Sequence, residues 1–235
     1  MDYHVLGIIS AFFMLLSLAG ILAQIRFIFQ RKKLYSINGL QDEKPTSVLS
    51  LNRFATSFLG FYSMFFYGLT LNLFNHYIVW PRIIALALLL IILYEIKRDR
   101  NDITSISIFY AGLICVSGAI ALAVTPYRIV FSEIYLSHIF SFVVTCIFAQ
   151  GAAHQIYKIR KSGRTGGLSL RMHQLYATKD FSAVLFGVAM SVEKGWPVIF
   201  QHSVSFCVQF ITMYHFRWVK VSESAIKRKR LAMTE

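Results

Sequence analysis

"HQIYKIRKSGRTGGLSLRM", residues 154–172, leaves an apolar run through an amide, crosses a basic, glycine-bearing break and re-enters apolar sequence. An earlier stretch is built the same way: "GILAQIRFIFQRKKLYSINGL" from Gly20 to Leu40 beside "GAAHQIYKIRKSGRTGGLSL" from Gly151 to Leu170. Each reads Gly, three residues, Gln-Ile, a basic run with an aromatic residue, then Gly-Leu. After each break an aromatic residue precedes Ala-Thr, in "RFATSF" at 53–58 and "LYATKDF" at 175–181. A chain repeating such a unit is built from two related halves.

The sequence around these stretches suits a bilayer. Of 235 residues 56% are hydrophobic and 15% charged, and the mean hydropathy is +0.57, unlike a water-facing surface. A helix needs about 20 largely apolar residues to cross a bilayer core. Seven runs qualify, at 4–30, 47–70, 78–97, 103–124, 130–158, 168–191 and 196–219, separated by charge, Pro or Gly. Asp2 and His4 precede the first run and Arg31, Lys32 and Lys33 follow it, the reverse of a cleavable signal peptide, so that segment is expected to remain as a helix. Cys115, Cys146 and Cys207 sit singly in apolar runs, giving neither a disulfide framework nor a zinc spacing, and are expected to be packing residues.

The net charge of +13 raises nucleic acid as a partner, but the basic residues lie between the apolar runs instead of forming a face, so no nucleic acid is expected. Arg31, Lys32, Lys33 and Lys44 fall in the first break, Lys97, Arg98 and Arg100 in the third, Lys158, Arg160, Lys161, Arg164 and Arg171 around the fifth, and six more after the last run. The even breaks hold only Arg82, Arg128 and Lys194. The positive-inside bias then puts the N-terminus outside and the C-terminus in the cytoplasm, which requires an odd number of crossings. "KRKR" at 227–230 reads as a juxtamembrane cluster attracted to anionic lipid. The expected fold is all-α and integral to the membrane: a three-helix repeat over 1–100, a linker helix over 101–127, a parallel second repeat over 128–220 and a basic tail over 221–235.

The repeated motif resembles the PQ-loop family, which includes the SWEET sugar porters and lysosomal cystine and cationic amino-acid transporters and shares its fold with the KDEL receptor. The family pattern is Pro-Gln near the end of each repeat's first helix, then a basic loop and a Gly-Leu-Ser lead-in to the next. Gln24 and Gln155 match the glutamine, and Gly167, Leu168 and Ser169 match the lead-in. Ala23 and His154 stand where the family has its proline. The resemblance implies alternating access with Gln24 and Gln155 at the hinges, and the missing prolines are a departure at those points.

Ionisable groups at membrane depth tend to face a bundle interior or a wet cavity. Arg53, Lys179, Asp180 and Glu133 answer that description, with Asn52 beside Arg53. Arg53 and Asp180 lie on the second helices of the two repeats and are expected to pair or to share a cavity. Lys179 is about 100° round the helix from Asp180 and is not its obvious partner. In "FQHSVSFCVQF" Gln201, Ser205 and Gln209 recur every four residues as a polar stripe, with His202 beside it. Arg53 and Lys179 suit a carboxylate and Asp180 an amine or a proton, His202 being a second proton carrier. Trp80-Pro81 and Trp196-Pro197 are expected to open the third and seventh helices.

No nucleophile with a positioned base and no metal-ligand spacing is present in the sequence, so an enzyme, a metal and a cofactor are not expected. The expected function is secondary transport of a small polar solute, an amino acid or related zwitterion before a sugar, with proton coupling through Asp180. A SWEET-like sugar uniporter, a KDEL-receptor-like sorting receptor and a non-transporting partner subunit are the alternatives. A plasma or inner membrane is the expected location, with an endomembrane as the alternative.

Overall fold

The computed structural model describes residues 2–37, 45–46, 49–133, 135–163, 165 and 170–231, and these are helical without a strand. The helices are α1 (Tyr3–Ser17), α2 (Ala19–Ile37), α3 (Leu51–Thr70), α4 (His76–Arg100), α5 (Ile103–Ala123), α6 (Val130–Glu133), α7 (Leu136–Ser162), α8 (Leu170–Ala189), α9 (Val192–Val221) and α10 (Glu223–Leu231). A single 3-10 turn, Pro126–Ile129, leads into α6. Gly39, Leu40, Lys44, Arg164 and the Gly167-Leu168-Ser169 lead-in lie outside the described residues.

Among the described residues four stretches are long and apolar enough to cross a membrane: Tyr3–Leu34, His76–Arg100, Ile103–Ala123 and Leu136–Lys161. α3, α8 and α9 are not in that group. α8 carries Arg171, Lys179 and Asp180, and α9 carries Gln201, His202, Ser205 and Gln209, so polar groups dilute their apolar character. Two classes of helix result, one apolar enough to cross on its own and one that carries more polar side chains.

The chain groups into two compact units, residues 14–144 and residues 1–13 with 145–235, divided within α1 and α7. In the first unit α4 is the core helix. Ile78, Val79, Ala85, Leu86, Leu89, Ile92, Leu93 and Ile96 are buried at helical spacing, in one core with Leu18 between α1 and α2, Ile21, Ile25 and Ile28 of α2 and Phe58, Phe65 and Leu69 of α3. α5 turns Ile103, Leu113, Ile114 and Ile120 outward, with Ile114 70% exposed. Exposed branched aliphatics along a helix of that length are compatible with a hydrocarbon surrounding. In lipid the packing of such helices comes from close contact and interhelical hydrogen bonds, since apolar side chains meet an apolar solvent either way.

Polar ties close both ends of this unit. At one end Lys32 pairs with Glu95, Arg100 donates to the Leu49 carbonyl, and the Thr46 backbone N–H donates to Asp99 at 2.9 Å. Lys97 lies over the rings of Tyr94, Phe109 and Tyr110 at 5.8, 5.1 and 4.6 Å, a cation–π anchor. At the other end Arg128 donates to the carbonyls of Leu69 and Leu71 at 2.9 and 2.7 Å, satisfying the open C-terminus of α3.

Local chemistry moves several expected boundaries. The first run is divided at Leu18, where the Ser17 hydroxyl takes the Met14 carbonyl at 2.6 Å and Gly20 follows, a Ser/Gly pairing that bends helices. The bend precedes Gln24, and helix continues through both Gln24 and Gln155 where Ala23 and His154 replace proline. The fifth run starts late: Tyr135 takes φ 55, ending α6, so exposed Glu133 lies before α7 instead of within a long helix. α4 and α9 start early, capped by the Asn75 side chain on the Ile78 N–H and by the Ser191 side chain on the Lys194 N–H. Pro81 and Pro197 are therefore inside the helices and do not open them. Arg82 is buried in α4 and donates to the Ile78 carbonyl. Among the cysteines Cys146 and Cys207 are exposed, contrary to a packing role; both are small apolar groups on faces shared with exposed Val143 and Phe210.

Candidate functional site

α8 and α9 are joined by the short turn at Met190–Ser191, where Ser191 takes φ 73. Beside that turn the two backbones nearly touch. A Cβ on Gly195 would stand 1.9 Å from the Gly187 carbonyl oxygen, and one on Gly187 would stand 2.7 Å from Ile199 Cγ1. Only glycine permits this approach. It lets the next turns of both helices interlock closely enough for short side chains to bridge them.

Asp180, midway along α8, is 0% exposed. Its Oδ1 accepts from the Lys179 ammonium at 2.8 Å and lies 2.8 Å from His202 Nδ1, and its Oδ2 accepts from the Ser205 hydroxyl at 2.6 Å. A carboxylate buried in an apolar hairpin must be paired and hydrogen-bonded to persist there, and these three donors from two helices do both. The side chain of Lys179 is 12% exposed, so its stem curls over the site instead of projecting outward. The expectation that Lys179 is too far round the helix to meet Asp180 is thus overturned. The 100° between neighbours separates Cβ directions, whereas four methylenes let the ammonium reach back.

Further bonds extend the cluster along α9. His173 Nδ1 lies 2.5 Å from Gln209 Oε1, and Arg160 Nε of α7 donates to His215 Nε2 at 3.0 Å. His215 Nδ1 lies 2.7 Å from the Ile211 carbonyl, which fixes its proton on Nδ1 and leaves Nε2 to accept from Arg160. The buried face of α9 reads His202, Ser205, Gln209, Thr212, His215, at spacings of three or four residues. The expected every-fourth-residue stripe is corrected in one member. Four residues overshoot a turn by about 40°, so Gln201 drifts to a half-buried position and His202 takes the buried one. Gln201 still accepts from the Thr145 hydroxyl, at 3.5 Å.

Asn52 and Arg53 are placed differently. Both are exposed in the first turn of α3, where the Arg53 backbone N–H donates to the Ser50 cap at 3.3 Å. Their sequence equivalence to Asp180 does not carry equal depth along the helices, because α3 begins just before Arg53. Gln24 is half-buried on α2 and Gln155 is exposed on α7. Arg160 joined the network without being singled out as a site residue, its only signal being its place in the basic break. His173, a sequence candidate for proton carriage as an imidazole, joined it through Gln209, a partner that the sequence does not reveal.

No family model, no curated protein and no solved structure matches the chain.

Proposed function

We propose that this protein is a secondary carrier that moves a small zwitterionic solute of the amino-acid class across a membrane. The observation that carries the reading is the buried Asp180 carboxylate held by Lys179, His202 and Ser205. Intramembrane ionisable residues are costly and mark solute or ion pathways. Lys179 and Asp180 together form an internal zwitterion, and a solute with an ammonium and a carboxylate exchanges with it without net charge: its ammonium takes the place of Lys179 on Asp180, and its carboxylate receives the released Lys179. Ser205 and His202 remain as neutral donors that orient the carboxylate. Protonation of Asp180 removes the charge that holds Lys179, which couples proton and solute.

In this reading α3, α8 and α9 cross the membrane with the four more apolar stretches, seven crossings in all, as two three-helix repeats over 1–100 and 128–220 joined by a linker over 101–127. The repeated Gln24 and Gln155 motifs and their likeness to the PQ-loop family support that arrangement. The polar helices cross inside the bundle, where their buried stripes are shielded from lipid.

Counterflow in proteoliposomes tests the proposal, with unlabelled solute inside and label outside over a panel of amino acids and sugars. The expected outcome is saturable exchange of an amino acid, lost in Asp180→Asn and Lys179→Met. Exchange of a sugar that survives both variants indicates a uniporter with a different site. Folded protein that exchanges nothing refutes transport and favours a receptor or a partner subunit.

A further inference from the structure

We infer that the exposed face of α2 holds one anionic phospholipid, its headgroup on Arg26 and one acyl chain in the groove beneath. The groove, of about 430 Å³, is lined by Ala19, Leu22, Ala23, Arg26, Phe27 and Gln30. This face is opposite the buried Leu18, Ile21, Ile25 and Ile28, so it faces away from the protein's own core. Two small side chains, Ala19 and Ala23, form the floor, with exposed Leu22 and Phe27 as apolar walls.

Polarity changes along the groove as it does along a lipid. Ala19, Leu22 and Ala23 occupy one end, and Arg26 and Gln30 occupy the end nearer Arg31, Lys32 and Lys33. From residue 19 to residue 30 a helix rises about 16 Å, roughly half a hydrocarbon core of about 30 Å, the length of one leaflet. The Tyr3–Leu34 span holds about 48 Å of helix divided at Leu18, so when centred it overshoots the core by up to about 9 Å at each end. Arg26 then lies only a few ångströms inside the core, a depth from which a guanidinium reaches the phosphate layer.

Charge selects the headgroup. Arg31 is engaged by the Pro45 carbonyl at 3.3 Å and by the Phe27 ring, and Lys32 is paired with Glu95. Among the described residues Arg26 has no hydrogen bond or ion pair, and its guanidinium stands exposed over the groove. An arginine in that setting is matched by a phosphodiester that carries net negative charge, which it binds through a paired, fork-like contact. The site is separate from the basic tail and independent of any transported solute.

The test reconstitutes the full chain in equimolar palmitoyl-oleoyl phosphatidylglycerol and phosphatidylcholine, extracts it in mild detergent and weighs intact protein–lipid complexes. One phosphatidylglycerol retained about fivefold over phosphatidylcholine is the expected result, given the usual attraction per basic residue at a membrane surface. Arg26→Gln, which removes charge, and Ala23→Leu, which fills the floor and keeps charge, each bring the ratio to near one. Arg26→Lys, which keeps the charge without the fork, retains part of it, and Lys227→Gln with Arg228→Gln leaves it unchanged. A wild-type ratio near one overturns the site, as does a preference that survives both groove variants or is lost only with the tail.

Discussion

Asp180 sets the energetics of its hairpin because its burial is complete and its three donors come from two helices. Removing one member of a buried ion pair leaves the other charge uncompensated, at a cost of about 3–5 kcal/mol, while replacing both by apolar groups is often neutral. Asp180→Ala is therefore expected to lower stability by about 3–5 kcal/mol, and Lys179→Met with Asp180→Leu to recover most of that loss. Thermal unfolding of the three proteins in one detergent checks this; an unchanged midpoint in Asp180→Ala refutes the pairing. At the opposite extreme of exposure, Asp102 caps α5 by accepting from the Ser105 backbone N–H at 2.9 Å, and the Ser105 side chain, together with this backbone bond, holds its carboxyl below the usual carboxylate range. A depressed folded value stabilises above the unfolded value and is lost as pH falls through the folded one. Wild type is expected to exceed Asp102→Ser in melting temperature at neutral pH, with the difference vanishing on acidification below the carboxylate range. A pH-independent difference contradicts a charged cap.

Among the elements, the α8–α9 hairpin depends on a close approach that tolerates no added atom. A Cβ on Gly195 meets backbone of Gly187, which cannot rotate away as a side chain can. Gly195→Ala is expected to cost about 1–3 kcal/mol or more through overpacking and to spread the turns that bring Asp180 to His202 and Ser205. Gly68 makes a similar approach, from α3 to Ile78 of α4, but there the neighbour is a side-chain branch. Gly68→Ala should then cost less than Gly195→Ala, and urea unfolding of both gives the order; the reverse order removes the backbone argument. The same elements show what was legible in advance. Apolar runs bounded by charge located every long helix, because hydrophobic length and charged ends are local properties. The Leu18 bend, the early starts at Asn75 and Ser191 and the Tyr135 break come from single side chains meeting the backbone, which periodicity does not register. His202 was assigned beside the stripe and proved central, since which face of α9 is buried follows from α8 and not from α9 alone. Asp180 could be singled out as an isolated carboxylate in an apolar run, but its partners could not.

For the whole molecule the decisive quantity is the number of crossings, and charge and hydropathy point to different counts. The four stretches apolar enough to cross on their own merits bring the chain back to the side on which it began. The basic residues, concentrated in alternate breaks, point by the positive-inside bias to an odd number. Both hold together if α3, α8 and α9 cross as interior helices, because each buries polar residues along its length: on α9 His202, Ser205, Gln209, Thr212 and His215, on α8 Asp180 and Ser182, and on α3 Ser63 and Thr70. A helix whose polar groups are bonded within the protein presents an apolar remainder to lipid, as Phe181, Val188, Phe210 and Ile211 do by their exposure. Seven crossings place Asp2 and Ser224 on opposite sides of the membrane; four place them together. In a background with Cys115, Cys146 and Cys207 replaced by Ala, Asp2→Cys and Ser224→Cys are each labelled with a membrane-impermeant maleimide in oriented cells before and after lysis. Labelling of position 2 in intact cells and of position 224 only after lysis is the expected outcome. Equal protection of both returns the count to an even number and leaves the buried cluster on α8 and α9 outside the hydrocarbon, where a carboxylate needs no such enclosure.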